Sequence, residues 1–328
     1  MIVTLRQGAD ADTVRKELVA RGLWVSPLSD GARVAHFVVS PASTAVSAAE
    51  LSGIEGVASV AAPPSPHPRI TAQGPVVDVR GVAVGAPGKT VFMCGPCAVE
   101  SEERIFALAA KVSAAGAQML RGGAYKPRTS PYAFQGHGEV ALRWMRRAAD
   151  AHGLKVVTEA LGEGDVSLVA EYADLVQVGS RNMQNFALLK AIGRAGRPVL
   201  LKRAMAATVE EWLLAGEYLL ASGAPGVIFC ERGIRGFDPS TRNLLDLGSV
   251  ALLAHVYKLP VVVDPSHATG RRDLVLPLAR AAVGAGAAGV MIEVHDDPGC
   301  ALSDGPQALP PNELRGALDG LRAMARSV

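Results

Sequence analysis

From Thr90 onward, short apolar runs alternate with longer amphipathic segments eight times. The apolar runs fall near 91–94, 117–120, 155–158, 174–178, 198–201, 226–229, 260–263 and 289–293. The amphipathic segments fall near 101–115, 138–152, 163–171, 185–194, 208–222, 246–257, 272–284 and 311–326. Runs such as Val199-Leu200-Leu201 and Val261-Val262-Val263 are short and apolar throughout, as strands buried on both faces are. Eight strand–helix units in about 240 residues predict a closed (β/α)8 TIM barrel over 89–328, not an open doubly wound sheet.

The segment before it has a different rhythm. Strands are expected at Ile2–Leu5, Ala35–Val39 and Val57–Ala61, and helices at Asp12–Ala20 and Ala45–Leu51. An order of roughly βα(β)βαβ suits a small α+β ferredoxin-like (ACT-like) domain over 1–68. The run Pro63-Pro64-Ser65-Pro66-His67-Pro68 reads as a semi-rigid connection, and 69–88 as linker plus a hairpin near Val76–Val84.

In a barrel the chemistry sits where strands end, and every strand here ends in polar groups. Cys97 and Glu100 follow the first. Arg121, Lys126 and Arg128 follow the second, in the Gly- and Pro-rich stretch Leu120–Gly136. Glu159 ends the third, Gln177, Ser180 and Arg181 the fourth, Lys202 and Arg203 the fifth, and Glu231, Arg232 and Arg235 the sixth. Asp264, Ser266 and His267 follow the seventh, Glu293 and His295 the eighth, with Asp304 beyond.

These groups sort into two sets. Arg121, Lys126, Arg128, Arg181, Lys202, Arg203 and Arg232 are cations that would repel one another on one rim. A phosphate- or carboxylate-bearing ligand relieves that, and pairing with Glu159 and Glu231 relieves part of it. Cys97, His267, Glu293 and Asp304 are thiolate, imidazole and carboxylates, all metal-ligand types. The mixed set suits Mn, Fe, Co or Zn at a catalytic centre with an open position.

Net charge is only +2, from 33 basic and 31 acidic residues, so no global field favours nucleic acid or membrane. The N-terminus has no signal-peptide pattern, and the run Ala281–Ile292 is too short to span a bilayer, so a cytoplasmic protein is expected. Cys94 and Cys97 form a CxxC pair. No thioredoxin-like context surrounds it, and Cys94 reads as an apolar filler.

The motifs CGPCAVES, LRGGAYKPRTSPYAFQG, VVTEAL, QVGSRNMQN, LLKR, CERGIR, VDPSHATGRRDL, IEVH and ALSDGPQAL occur in that order at the strand ends. From about residue 65 to the end the chain resembles the 3-deoxy-D-arabino-heptulosonate 7-phosphate (DAHP) synthase family, most of all its type I-beta form with an N-terminal ferredoxin-like regulatory domain. The resemblance implies condensation of phosphoenolpyruvate with D-erythrose 4-phosphate, the first step of the shikimate pathway. It implies that Cys97, His267, Glu293 and Asp304 hold one divalent metal ion. Arg121, Lys126, Arg181, Lys202 and Arg232 would hold phosphoenolpyruvate, with Glu159 and Ser180 near its phosphate. Lys126, Pro127, Arg128 and Thr129 would meet erythrose 4-phosphate, with Asp264 beside its hydroxyls. Lys126 is the candidate proton donor, and Cys97 and His267 act through the metal. Feedback inhibition by tyrosine or phenylalanine and a homotetramer are also implied.

The sequence departs from the family at Cys94, where a small residue is common, and at Asp296-Asp297-Pro298, where many relatives carry proline directly after His295. The sister enzyme making 3-deoxy-D-manno-octulosonate 8-phosphate shares the barrel but carries an Asn-Arg-type motif in place of Lys126-Pro127-Arg128-Thr129. A non-catalytic metabolite-sensing barrel would not need the metal set, and a class II aldolase would need several histidines at its metal.

Overall fold

The computed structural model describes residues 1–31 and 33–326 and divides them into two compact units, Met1–Pro66 and His67–Val328. The first unit runs β1 (Ile2–Leu5), α1 (Ala11–Ala20), β2 (Val25–Asp30), β3 (Arg33–Val39), α2 (Ala48–Ser52) and β4 (Val57–Ala61). Its strands form an antiparallel sheet in the order β2-β3-β1-β4. Val3, Leu5, Phe37, Val39 and Val57 point to one face and bury the helix residues Val14, Leu18 and Leu51. The helices start where side chains cap them: Asp10 accepts from the amide of Asp12, and Ser47 from that of Glu50.

The second unit opens with α3 (Pro68–Ala72), then a hairpin of β5 (Val77–Val79) and β6 (Val82–Val84). Pro68 was expected to close the first domain, and 69–72 to be linker. Instead the backbone amides of Arg69 and Ile70 donate to Glu217, and Ile70 is buried in the outer core of the second unit. The hairpin turns at Arg80-Gly81, both at positive φ, with Asp78 accepting from the amide of Gly81.

Eight parallel strands then close a barrel: β7 (Val91–Gly95), β8 (Met119–Arg121), β9 (Lys155–Glu159), β10 (Leu175–Val178), β11 (Val199–Lys202), β12 (Val227–Glu231), β13 (Val261–Val263) and β14 (Gly289–Glu293). The helices around it are α4 (Glu102–Ala114), α5 (Glu139–Ala151), α6 (Val166–Tyr172), α7 (Phe186–Arg194), α8 (Val209–Ala221), α9 (Leu247–Ala251) with a π-helical continuation to Val256, α10 (Pro265–Thr269), α11 (Arg272–Gly284) and α12 (Pro311–Ala325). Ser101, Asn185 and Thr208 cap α4, α7 and α8 with their side-chain oxygens, the last in a reciprocal box with Glu211. Among the described residues no helix is long and apolar enough to cross a membrane.

Side chains alternate across each strand, and the two cores record that period. Val91, Met93, Met119, Val157, Leu175, Leu200, Ile228, Cys230, Val262 and Met291 fill the barrel interior. Their neighbours, including Phe92, Cys94, Leu120, Val156, Val176, Leu201, Phe229, Val263 and Ile292, face the helices. Val77, Val79 and Val84 of the hairpin join the interior cluster and close the N-terminal end of the barrel. Burying such a side chain contributes about 1.5–3 kcal/mol relative to leaving it exposed. The C-terminal end is open to the polar groups of the strand ends.

Candidate active site

The alternation that packs the interior also builds the site. Two residues beyond the last apolar inward position of a strand, the next inward position arrives at the mouth. From Met119 this is Arg121; from Val157, Glu159; from Leu175, Gln177; from Leu200, Lys202; from Cys230, Arg232; from Val262, Asp264; from Met291, Glu293. One layer of the barrel is therefore polar, although it sits directly on an apolar one.

Four donors converge at one side of this layer. Cys97 Sγ, His267 Nε2 and one carboxylate oxygen each of Glu293 and Asp304 lie within 4.8 Å of one another. Cys97 Sγ is 3.0 Å from Asp304 Oδ2 and 3.8 Å from His267 Nε2. His267 Nε2 is 3.6 Å from Glu293 Oε2 and 3.9 Å from Asp304 Oδ2. Donors on one tetrahedral ion lie about 3.3–3.8 Å apart, so the cluster has the span of a first coordination sphere. The donor chemistry fits a divalent ion, and the spacing fits it too.

The imidazole is oriented for that task. His267 Nδ1 donates to Asp264 Oδ2 at 2.8 Å, and Asp264 Oδ1 accepts from the His267 amide. This leaves the Nε2 lone pair facing the other three donors. Burial drives the His267 pKa down to about 3, against the pull of Asp264, so the ring is neutral. Burial raises Glu293 to about 7 and Cys97 to about 11, with Glu293 adding to the rise at Cys97. Burial also pushes Asp304 upward, but His267, the Cys97 hydrogen bond and Arg242 outweigh it and hold Asp304 at about 2.

Beside the cluster lies a cavity of about 380 Å³ whose lining includes Arg121, Lys126, Arg128, Arg181, Lys202, Arg232 and Arg242. Pro127, Thr129, Glu159, Gln177, Ser180, His267 and Asp304 line it as well. Lys126 Nζ donates to the carbonyl of Cys97 at 3.1 Å and to its Sγ at 2.9 Å, so one ammonium touches both the four-donor cluster and the cavity. Arg121 Nε and Arg232 Nη1 are buried without a partner among the described residues. A buried guanidinium nitrogen left unpaired costs free energy, and an anion in the cavity would satisfy it.

The sequence reading is modified at several points. Asp264, expected beside a ligand's hydroxyls, is fully buried behind His267; its carboxylate takes the His267 ring and Lys202 Nζ, the latter at 2.6 Å. Arg203, grouped with the rim cations, sits at an outward strand position. It points between barrel and helices and donates to Glu231, Asp246 and Ser249. Glu231 is outward for the same reason and neutralises Arg203. Cys94 also points outward into the helix layer, where burial raises its pKa to about 12. All four cysteines are free. Asp296 faces His295 and Arg104, outside the four-donor cluster. Arg242 and Met205 line the cavity and were not anticipated. They lie in loops after strand ends, beyond the reach of the period-two rule.

A sequence model of the DAHP synthetase I family matches residues 68–326. The chain is 52% identical over 243 residues to the phospho-2-dehydro-3-deoxyheptonate aldolase of Thermotoga maritima, covering 74% of this chain and 70% of that one. It is 32% identical over 250 residues to the 2-dehydro-3-deoxyphosphooctonate aldolase of Acidithiobacillus ferrooxidans, covering 70% and 87%. The crystal structure of the Thermotoga maritima phospho-2-dehydro-3-deoxyheptonate aldolase (DAHP synthase) aligns with a TM-score of 0.78 at 42% identity, across 99% of this chain and 97% of that one.

The protonation states set how a divalent ion competes with protons. Glu293 sheds its proton near pH 7, whereas Cys97 keeps its own to about 11. Binding therefore releases about one proton per ion above pH 7.5 and about two below pH 6. The logarithm of the apparent affinity should rise with pH at a slope of about two below pH 6 and about one between pH 7.5 and 9. Chelator competition across that range measures it, and a flat profile would exclude the four-residue centre.

Proposed function

The chain belongs to the DAHP synthetase I family, and from that premise we infer that it is a DAHP synthase. It joins phosphoenolpyruvate, D-erythrose 4-phosphate and water into 3-deoxy-D-arabino-heptulosonate 7-phosphate and inorganic phosphate. The observation that carries this reading is the seven-cation cavity that shares His267 and Asp304 with the four-donor cluster and holds Lys126 against its Cys97.

Two highly anionic substrates must meet in one cavity, and their repulsion has to be offset before any bond forms. Arg121, Lys202 and Arg232, fixed at inward strand positions, suit the phosphoenolpyruvate end, with Arg181, Glu159 and Ser180 on the adjacent wall. Lys126, Pro127, Arg128 and Thr129 form the neighbouring loop and suit erythrose 4-phosphate. Arg181 donates to the carbonyl of Pro127 at 3.2 Å, which ties the two regions together. Cys97, His267, Glu293 and Asp304 would hold a divalent ion, Mn, Fe, Co or Zn by ligand type. A bound ion would supply Lewis acidity for the aldehyde. Lys126, whose Nζ is 2.9 Å from Cys97 Sγ, would donate the proton the new alkoxide needs. Asp264 acts from behind: it orients His267 and anchors Lys202.

Sugar choice rests on the Lys126–Thr129 loop and on the higher identity to the heptonate than to the octonate enzyme. The first unit's βαββαβ order with an antiparallel β4-β1-β3-β2 sheet supports a ferredoxin-like module. We assign it the regulatory role of the type I-beta form, with tyrosine or phenylalanine as effector, in a cytoplasmic homotetramer.

Three measurements test these assignments. Turnover with erythrose 4-phosphate should exceed that with a five-carbon aldose phosphate; the reverse preference would make the chain an octulosonate synthase, and no turnover with either would leave a sensing barrel. Lys126→Ala should lower kcat by about 10²–10⁴ while the protein still binds one divalent ion per chain, and near-normal kcat would remove Lys126 as the proton donor. Deleting Met1–Pro66, the boundary that keeps α3 on the barrel, should preserve activity and abolish inhibition by tyrosine and phenylalanine. Equal sensitivity in the shortened chain would refute the regulatory assignment.

A further inference from the structure

Asp304 has φ 52° and ψ 25°, the left-handed region that non-glycine residues seldom occupy. It starts the tight turn Gly305–Gln307, where the amide of Gln307 donates to the Asp304 carbonyl at 3.2 Å. A Cβ on Gly305 would lie 2.1 Å from the carbonyl oxygen of Pro298, so the turn is wedged against the preceding loop. Strain of this kind persists only where surrounding contacts over-determine it. Those contacts come from two residues that the sequence reading gave no role.

Gln307 is 2% exposed, and its Nε2 donates to Glu293 Oε2 at 2.6 Å. Its Oε1 faces Arg242 Nη1 at 3.4 Å, and the same Nη1 donates to Asp304 Oδ1 at 3.1 Å. Arg242 is itself held by its amide donating to the Thr269 carbonyl at 3.0 Å. One amide and one guanidinium thus bridge the two carboxylates of the cluster from outside. With Oδ1 taken, Asp304 presents Oδ2 alone to Cys97 and His267.

We propose that Gln307, together with Arg242, is a positioning residue that sets the affinity and coordination geometry of the metal centre. The pair fixes the rotation of the Glu293 carboxylate and restricts Asp304 to one ligand oxygen. Without the pair, two neighbouring carboxylates and a thiolate would splay apart by mutual repulsion, and Asp304 would be free to bind through both oxygens. Outer hydrogen bonds of this type commonly change metal affinity by about 10- to 100-fold. Arg242 also lines the cavity, so the bridge links the charge of a bound substrate to the acidic ligands. The proposal rests on the reading of Cys97, His267, Glu293 and Asp304 as a metal centre.

The test uses the full chain stripped of metal and titrated with Co²⁺, read by calorimetry and by the visible absorption of the bound ion. Wild type should bind one Co²⁺ with a thiolate charge-transfer band, and Cys97→Ser should lose that band. Gln307→Leu should bind Co²⁺ at least about tenfold more weakly, with altered visible band intensities that report a changed coordination number. Should that buried variant fail to fold, Arg242→Ala, at a partly exposed position, carries the test with the same expected changes, and Arg242→Lys should restore part of the affinity. Affinities within about twofold of wild type and unchanged spectra in a folded variant would overturn the positioning role alone. Failure of wild type itself to bind Co²⁺ would overturn the metal centre and this inference with it.

Discussion

The period-two alternation of eight parallel strands in a closed barrel is the constraint on which the rest depends. A barrel interior has room for only a few layers, and the hairpin valines already close one end. What the inward positions carry at the other end must therefore meet across the mouth. Gly95 lets the first two strands meet there: a Cβ on it would stand 2.1 Å from the Arg121 carbonyl oxygen. The loop bearing Cys97 and the strand end bearing Arg121 are adjacent because nothing larger fits between them.

Crowding so many cations into a buried layer is costly unless some are compensated from within. The protein uses Asp264 for this: one carboxylate is shared between the Lys202 ammonium and the His267 ring. Lys202 is thereby fixed without losing its exposure to the cavity, and His267 is held in the tautomer that leaves Nε2 free. Arg121 and Arg232 retain buried guanidinium nitrogens without partners among the described residues. The difference separates cations that belong to the framework from cations with capacity left for an anionic ligand.

Most of the architecture was legible because strand and helix periods are local properties. All eight barrel strands lie within a few residues of the apolar runs. The second strand of the N-terminal unit is implied by the pattern but not located by it. Val25–Asp30 contains Pro27 and five exposed residues, which an edge strand tolerates and a periodicity rule misses. Pro68–Ala72 resembles linker by composition, and the bonds to Glu217, 147 and 148 residues away, with Ile70 buried in the same core, reveal it as part of the barrel unit. Arg203 and Lys202 are chemically alike and adjacent, yet strand phase sends one to the helices and the other to the cavity.

The amino-acid order alone determined the number of strand–helix units and the residue types at each strand end, because each depends on spacing within a short segment. Which cations face the cavity, which are neutralised, how His267 is oriented and how Gln307 and Arg242 grip Glu293 and Asp304 were decided only when the chain closed. Those outcomes depend on contacts between segments far apart in sequence. The distance from Cys97 to Asp304 is 207 residues along the chain and 3.0 Å across the site.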